Sequence, residues 1–151
     1  MNQSNFLRIL LLTDTAQPPL RATRGSSGAD IHSDEDIVIP VGHQVLVKTG
    51  LAIDVGHDFA HNIDIQIRSR SGLAAKHAVF VLNSPGTIDI DYRGEIKVLL
   101  MNLGDVDYQV RQGDRIAQMV VGSLMHLPII SKRGTPSSSE RGSGGFGSTG
   151  V

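Results

Sequence analysis

Short segments in which apolar and polar residues alternate run through most of this chain. In NIDIQIR, residues 62–68, Ile63, Ile65 and Ile67 alternate with polar residues, which places three isoleucines on one face of a β-strand. Turn signals separate such runs, and together they predict an all-β barrel or sandwich with one short helix at SGLAAKHA, residues 71–78. The other strand-forming runs are IVIP, QVLVK, LAIDV, EIKVLLMN, DYQV and RIAQMVV, and the turn signals are PVG, KTG, NSPG, YRGE, NLGD and RQGD.

The two ends of the chain differ from this pattern. The apolar run 6–12 lacks the flanks of a signal peptide and is too short to span a bilayer, so it predicts a first strand and a cytoplasmic protein. Glycine and serine dominate from residue 131 onward, which is typical of a flexible segment. We therefore expect a single β domain at residues 1–130, followed by a C-terminal arm at 131–151.

Composition narrows the function classes. The chain has 151 residues, a net charge of −1 and no cysteine. Near-neutral charge argues against a protein built to neutralise a nucleic-acid backbone, and the lack of cysteine excludes disulfides and thiolate nucleophiles. We expect neither a nucleic-acid partner nor a membrane partner.

Four segments carry side chains suited to chemistry, and each has an ordinary structural alternative. Asp89 and Asp91 would share one face of a regular strand, either as a carboxylate pair or as a solvated edge. Arg70, with Ser71 and Gly72 at the start of the helix, predicts either an anion cradle or a capped turn. Asp30 is either part of an Asx turn or a carboxylate of the site. Gln118 is either an outward-facing amide or an amide that binds a ligand.

Three better-known motifs do not fit. The pair in HDFAH, His57 and His61, has zinc-like spacing but falls in a loop between strands, which favours a solvated loop. The glycine-rich end lacks the GxxxxGK[ST] of a P-loop, and the chain has no GxSxG elbow of a serine hydrolase.

The order of the segments is more specific than any one of them. SGADI, RSGLA, GTIDIDYRGE, GDRIAQM and RGSGGFGSTG resemble, in sequence and spacing, the five motifs of the trimeric deoxyuridine triphosphatase (dUTPase) family. The resemblance covers residues 30–150. It implies a jelly-roll-like distorted β barrel, a homotrimer whose active sites are shared between subunits, and Mg²⁺-assisted hydrolysis of dUTP to dUMP and pyrophosphate.

By this resemblance, the third motif holds the catalytic centre. Asp89 matches the carboxylate that orients and deprotonates the attacking water. Tyr92 matches the ring that packs on deoxyribose and excludes a 2′-hydroxyl, and Asn83 matches the uracil-reading side chain. The backbone contacts to uracil would come from Gly86, Thr87 and Ile88.

The resemblance also assigns the phosphate site. Arg70, Ser71 and Gly72 match a phosphate-binding motif supplied by a neighbouring subunit, and Gln118 matches a phosphate contact. Asp30 matches an acidic residue that supports the Mg²⁺ ion through water and a hydrogen-bond network.

The C-terminal arm would complete the site as a lid. Arg141 would meet the phosphates and Phe146 would stack on the uracil, while Gly147, Ser148 and Thr149 would wrap the γ-phosphate. A ligand-dependent lid of this kind excludes water from the reacting atoms.

Two positions depart from the family pattern, and two other functions remain as alternatives. Ser69 stands where a proline often precedes the Arg-Ser-Gly motif, and Ala29 replaces a common aromatic residue. A dCTP deaminase of the same fold would need a glutamate as acid and base near the pocket. A nucleotide-sensing trimer without catalysis is the other alternative.

Overall fold

Extended segments dominate the computed structural model, which describes residues 7–55 and 62–144. The one helix in these ranges, α1, spans Ser71–His77 and ends at Ala78, whose φ of 52° lies in the left-handed region. This confirms the predicted all-β class with one short helix. In chain order the strands are β1 (Leu7–Leu11), β2 (Ala29–His32), β3 (Ile37–Ile39), β4 (Gln44–Val55), β5 (Ile63–Arg68), β6 (Val79–Val81), β7 (Gly86–Ile88), β8 (Ile96–Asn102), β9 (Tyr108–Val110) and β10 (Arg115–Ser123).

The strands form two four-stranded antiparallel sheets with orders β1-β4-β8-β6 and β2-β10-β5-β7, and the pair β3-β9. One face of each large sheet is apolar because alternate residues point the same way. Ile65 on β5, Leu100 on β8 and Ile116 on β10 are fully or almost fully buried in the common core. This core fixes the register of β2, β7 and β10, which carry parts of three of the five motifs.

Strand β4 corrects one prediction. QVLVK and LAIDV were expected to be separate strands with a turn at KTG, but they form one strand with a register shift between Lys48 and Leu51. Thr49 Oγ1 donates to the carbonyl of Ile96 at 2.5 Å, and Gly50 has a φ of 64°, so the extra residues form a bulge. A glycine can therefore signal a bulge within a strand as well as a turn.

The segment after β10 carries no helix or strand as far as the structure describes it, which is to residue 144. Leu127, Ile129 and Ile130 are exposed there. The boundary between the predicted domain and the predicted arm stays a prediction. Within the two described ranges, no helix has both the length and the apolar character needed to cross a membrane.

Candidate active site

The loop that follows β7 places the predicted catalytic carboxylate. The strand ends at Ile88, and the N–H of Tyr92 donates to the carbonyl of Asp89 at 3.0 Å, which closes a turn. Arg93 Nη1 holds the turn by donating to the carbonyl of Ile90 at 2.7 Å. The expectation that Asp89 and Asp91 share one face of a regular strand is therefore wrong, because the backbone turns between them.

Two clefts meet at Asp89. One, of about 400 Å³, is also lined by Thr87, Ile88 and Tyr92. The other, of about 620 Å³, is lined by Asp89 and Asp91 together with other residues of the β7 loop and of β5. Asp89 borders both spaces, whereas Asp91 borders only the larger one, so the turn gives the two aspartates different surroundings.

Tyr92 lines the smaller cleft, and Asn83 lies against the start of β7. Tyr92 is 44% exposed, and its hydroxyl donates to the carbonyl of Glu95 at 3.0 Å. Asn83 lies against Gly86: a Cβ on that glycine would stand 3.1 Å from the Asn83 Nδ2 atom. Glycine at position 86 therefore lets the Asn83 amide approach the backbone of β7.

A second group of polar residues converges on Asp30. The sequence allows an Asx turn at this residue, but the residue lies on β2 and is only 6% exposed. Its Oδ1 accepts from Arg70 Nε and from Gln118 Nε2, both at 3.1 Å, and its Oδ2 accepts from Arg115 Nη1 at 3.3 Å. We call these four residues the Asp30 cluster.

The charges of the cluster support one another. Burial by itself raises the pKa of Asp30, but the hydrogen bond from Gln118 and the positive charges of Arg70 and Arg115 hold that pKa below its ordinary value. Burial lowers the pKa of neighbouring His32; Asp30 opposes this and the two arginines reinforce it. Asp30 is thus an ionised anchor that orients two guanidinium groups and one amide.

Arg115 is the member of the cluster that the sequence reasoning missed. It precedes Ile116 in GDRIAQM, and the Arg70 Nη1 atom donates to its carbonyl oxygen at 3.1 Å. An arginine beside a turn looks like an ordinary surface residue. The pairing of β2 with β10, which brings position 115 beside position 32, is what reveals its contact with Asp30.

The start of α1 has the openness that an anion site requires. Arg70 occupies the N-cap position with an extended backbone, and no side chain in the described part of the chain caps the helix. Ser71 is exposed, and a Cβ at Gly72 would meet no atom within 4 Å. The turn therefore lacks a side-chain cap among the described residues, and the first N–H groups of α1 have no partner within the helix. The anion cradle stays a prediction.

The two groups lie apart on one chain. Gln118 pairs with Arg68 on β5, whereas Ile88, just before Asp89, pairs with Ile65 three residues away. Strand geometry puts these points about 10 Å apart along β5 and about 10 Å apart across the sheet. One copy therefore presents a cationic cluster and a carboxylate cleft at separate places.

The predicted lid is only partly described. Arg141 Nε donates to the carbonyl of Gly144 at 2.9 Å within its own segment, and no hydrogen bond joins it to Asp89 or to the Asp30 cluster in the described ranges. Phe146, Gly147, Ser148 and Thr149 lie outside the described residues, as do His57 and His61.

The described residues fit a magnesium ion only where other groups, such as phosphates and water, supply most of its ligands. No three histidine or acidic side chains in the described ranges are grouped to hold a metal ion by themselves. Mg²⁺ bound to phosphates keeps several waters and needs few protein ligands. Asp30 Oδ2, with one hydrogen bond at 3.3 Å, retains capacity to accept a second from a metal-bound water.

Comparison with known proteins places this arrangement in a family. The family model described as dUTPase matches residues 14–150. A deoxyuridine 5′-triphosphate nucleotidohydrolase of Helicobacter pylori is 48% identical over 147 residues, covering 96% of this chain and 97% of the relative. One of Nautilia profundicola is 46% identical over 144 residues, covering 95% and 98%.

The structural comparison agrees. A dUTPase of Staphylococcus bacteriophage 80alpha, solved with dUPNHPP, superposes with a TM-score of 0.86 at 26% identity. The superposition covers 97% of this chain and 99% of the phage chain.

Proposed function

The chain belongs to the dUTPase family, and we propose that it hydrolyses dUTP to dUMP and pyrophosphate. The observation that carries the proposal is the family match over residues 14–150, which spans all five motifs. Such an enzyme limits the dUTP available for incorporation into DNA and supplies dUMP for thymidylate synthesis. We place its action in the cytoplasm, with dUTP and further copies of itself as partners.

We propose that Asp89 is the catalytic base. Its carboxylate would orient a water molecule in line with the α-phosphorus and take a proton from it as the new P–O bond forms. The bond from the α-phosphorus to the bridging oxygen breaks, and pyrophosphate leaves. The position of Asp89 between two open clefts supports this role, because substrate and water need access from different sides.

Recognition of the nucleoside is assigned to the hairpin around β7. Asn83 and the backbone of Gly86, Thr87 and Ile88 would read the uracil edge, and a tight hairpin would reject the 5-methyl group of thymine by overlap. The ring of Tyr92, at the wall of the smaller cleft beside Asp89, would pack on deoxyribose and leave no room for a 2′-hydroxyl.

The triphosphate is assigned to the side of the chain that carries the Asp30 cluster. Arg70, Gln118 and the open start of α1 at Ser71 and Gly72 would hold the phosphates, and the ionised Asp30 keeps the Arg70 fork in place. When bound, Mg²⁺ would neutralise charge on the phosphate oxygens. Asp30 would support the ion through water.

Because the two groups are separate on one chain, we propose that they meet between copies in a homotrimer. Arg70, Ser71 and Gly72 of one subunit would face Asp89 of another, and the arm with Arg141 and Phe146 would close over the nucleotide. Gly147, Ser148 and Thr149 would wrap the γ-phosphate. The separation of the Asp30 cluster from Asp89 on the sheet supports this arrangement.

A four-nucleotide assay tests the proposal. Purified protein with Mg²⁺ is expected to release pyrophosphate from dUTP and scarcely from dTTP, dCTP or UTP, and excess EDTA should suppress the release. Turnover of dUTP at no more than the dTTP level would contradict the assignment. Ammonia release from dCTP would instead identify the deaminase.

Substitution separates the proposed base from its surroundings. Asp89→Asn should abolish turnover while leaving binding of dUTP measurable by calorimetry, because the amide keeps the shape but cannot take the proton. Asp64→Asn is the matched control, since Asp64 lines the same larger cleft as Asp89. An active Asp89→Asn enzyme would require a different base.

A further inference from the structure

The ring of Tyr92 occupies space that depends on the glycine two residues later. A Cβ on Gly94 would lie 2.6 Å from Cζ of Tyr92, 3.0 Å from its Cε2 and closest of all to its hydroxyl oxygen. The φ angle of Gly94 lies outside the left-handed region, so its backbone conformation suits other residues as well. A side chain at this position would therefore displace the tyrosine ring that lies over it.

The hydroxyl of Tyr92 is held at a fixed point. It donates to the carbonyl of Glu95 at 3.0 Å, and the side chain of Glu95 accepts from the N–H of Gly50 at 3.0 Å. Gly50 belongs to the bulge of β4, where an added Cβ would approach the Cβ of Ala16 to 2.7 Å. The tyrosine is thus tied through Glu95 to a tightly packed part of the neighbouring strand.

This attachment matters because the ring is a wall of a cleft. Tyr92 is 44% exposed and lines the space of about 400 Å³ that also holds Asp89. An exposed ring with a free end would occupy several rotamers. The hydroxyl tether limits that freedom, and the missing side chain of Gly94 leaves room for the ring in the position that it occupies.

We propose that Gly94 and Glu95 are positioning residues that set the discrimination between deoxyribose and ribose by fixing the ring of Tyr92. This inference rests on the proposed function, in which that ring excludes the 2′-hydroxyl. Neither residue touches substrate in the proposal. Gly94 supplies the space under the ring. The backbone carbonyl of Glu95 accepts from the ring hydroxyl, and the Glu95 side chain ties that segment to Gly50.

The test compares kcat/KM for dUTP with kcat/KM for UTP. Gly94→Ala should lower the ratio by about tenfold or more, because displacing a positioning group by about 1 Å is enough to cost up to roughly 10²-fold. Gly25→Ala is the control, since a Cβ there meets no atom within 4 Å and should leave the ratio unchanged. An unchanged ratio in Gly94→Ala, including one that results from equal losses for both nucleotides, would overturn the proposal.

A second substitution covers the case in which Gly94→Ala does not fold. Tyr92→Phe keeps the ring but removes the tether to Glu95, so the ratio should fall here too while the thermal unfolding midpoint changes little. The double variant Gly94→Ala/Tyr92→Phe lacks the hydroxyl oxygen that the new Cβ approaches most closely. Its kcat/KM ratio of dUTP to UTP should therefore fall by less than the product of the two single-variant losses. A wild-type ratio in Tyr92→Phe, or multiplicative losses in a folded double variant, would refute the tether or the contact.

The outcomes also separate this inference from the proposed function. A wild-type enzyme that turns over UTP as readily as dUTP would contradict the role assigned to Tyr92 itself. If the wild-type enzyme and the Gly94→Ala variant prefer dUTP to UTP to the same degree, the proposed dUTPase activity stands and only the positioning role is refuted.

Discussion

The Asp30 cluster makes a quantitative prediction about stability. Asp30→Asn removes the negative charge on which Arg70 and Arg115 converge and leaves amide N–H groups among three donors. Hydrogen bonds to charged groups contribute about 1.5–3 kcal/mol each. The Arg70 side chain is 22% exposed and the Arg115 side chain 54%, so the latter counts as a surface pair of at most about 1 kcal/mol.

We therefore expect Asp30→Asn to lower the free energy of unfolding by about 3 kcal/mol, at the low end of the cost of breaking a buried ion pair. For a chain of this length the thermal midpoint should fall by roughly 6–12 °C. Urea denaturation and calorimetry at one fixed protein concentration measure both quantities, because an oligomer's stability depends on concentration.

The matched control is an exposed ion pair with a shorter distance. Arg8 and Asp54 approach to 2.6 Å, with side chains 52% and 40% exposed. Asp54→Asn should cost no more than about 1 kcal/mol. If Asp30→Asn costs no more than Asp54→Asn, burial does not strengthen the cluster and the reasoning fails.

The same carboxylate predicts a pH dependence. The pKa of Asp30 is lower in the folded protein than its ordinary value of 3.8, so the unfolded chain binds the proton more readily. Its stabilisation is complete above pH 3.8 and disappears as the pH falls through the folded-state pKa. The difference in unfolding free energy between wild type and Asp30→Asn should therefore shrink in acid below pH 3.8, and a difference that grows there would refute the assignment.

Two other predictions concern the arm and the core. Removal of residues 141–151 should leave a folded protein of unchanged oligomeric state that is nearly inactive towards dUTP, because the proposed lid is lost. Sizing chromatography measures the oligomeric state, and the pyrophosphate assay measures the activity. Full activity of the truncated protein would refute the lid. Asn102→Ala should cost about 3 kcal/mol in urea denaturation, because it leaves buried backbone groups without partners. The fully buried Asn102 donates to the carbonyls of Ile39 and Val106, both at 2.9 Å, and accepts from the N–H of Gly104 at 2.8 Å. If Asn102→Ala lowers the free energy of unfolding by less than about 1 kcal/mol, water replaces these bonds.

The strands and the helix were largely predictable from local patterns. The alternation of Ile63, Ile65 and Ile67 marks β5, and the segment 71–78 marks α1 within one residue. Predictions failed where the same residue type or pattern occurs in two kinds of local structure. Gly50 was interpreted as a turn residue but forms a bulge, and Asp89 and Asp91 were aligned on a strand that ends at Ile88. At Gly50 the hydrogen bonds reach the distant residues Glu95 and Ile96, whereas the turn at Asp89 is closed by Tyr92 and Arg93 of the same segment.

By itself, the sequence determined the all-β class, the single short helix and the identity of the candidate residues, because side-chain alternation and motif spacing are local properties of the chain. Only the tertiary structure decided which of those residues touch. Asp30 meets Arg70 across 40 positions and Gln118 across 88, and Arg115 joins them only because β2 pairs with β10. The contacts of Tyr92 with Gly94 and Glu95 depend on how the chain turns after β7. Such contacts follow from strand register and loop geometry, which the packing of the whole core sets.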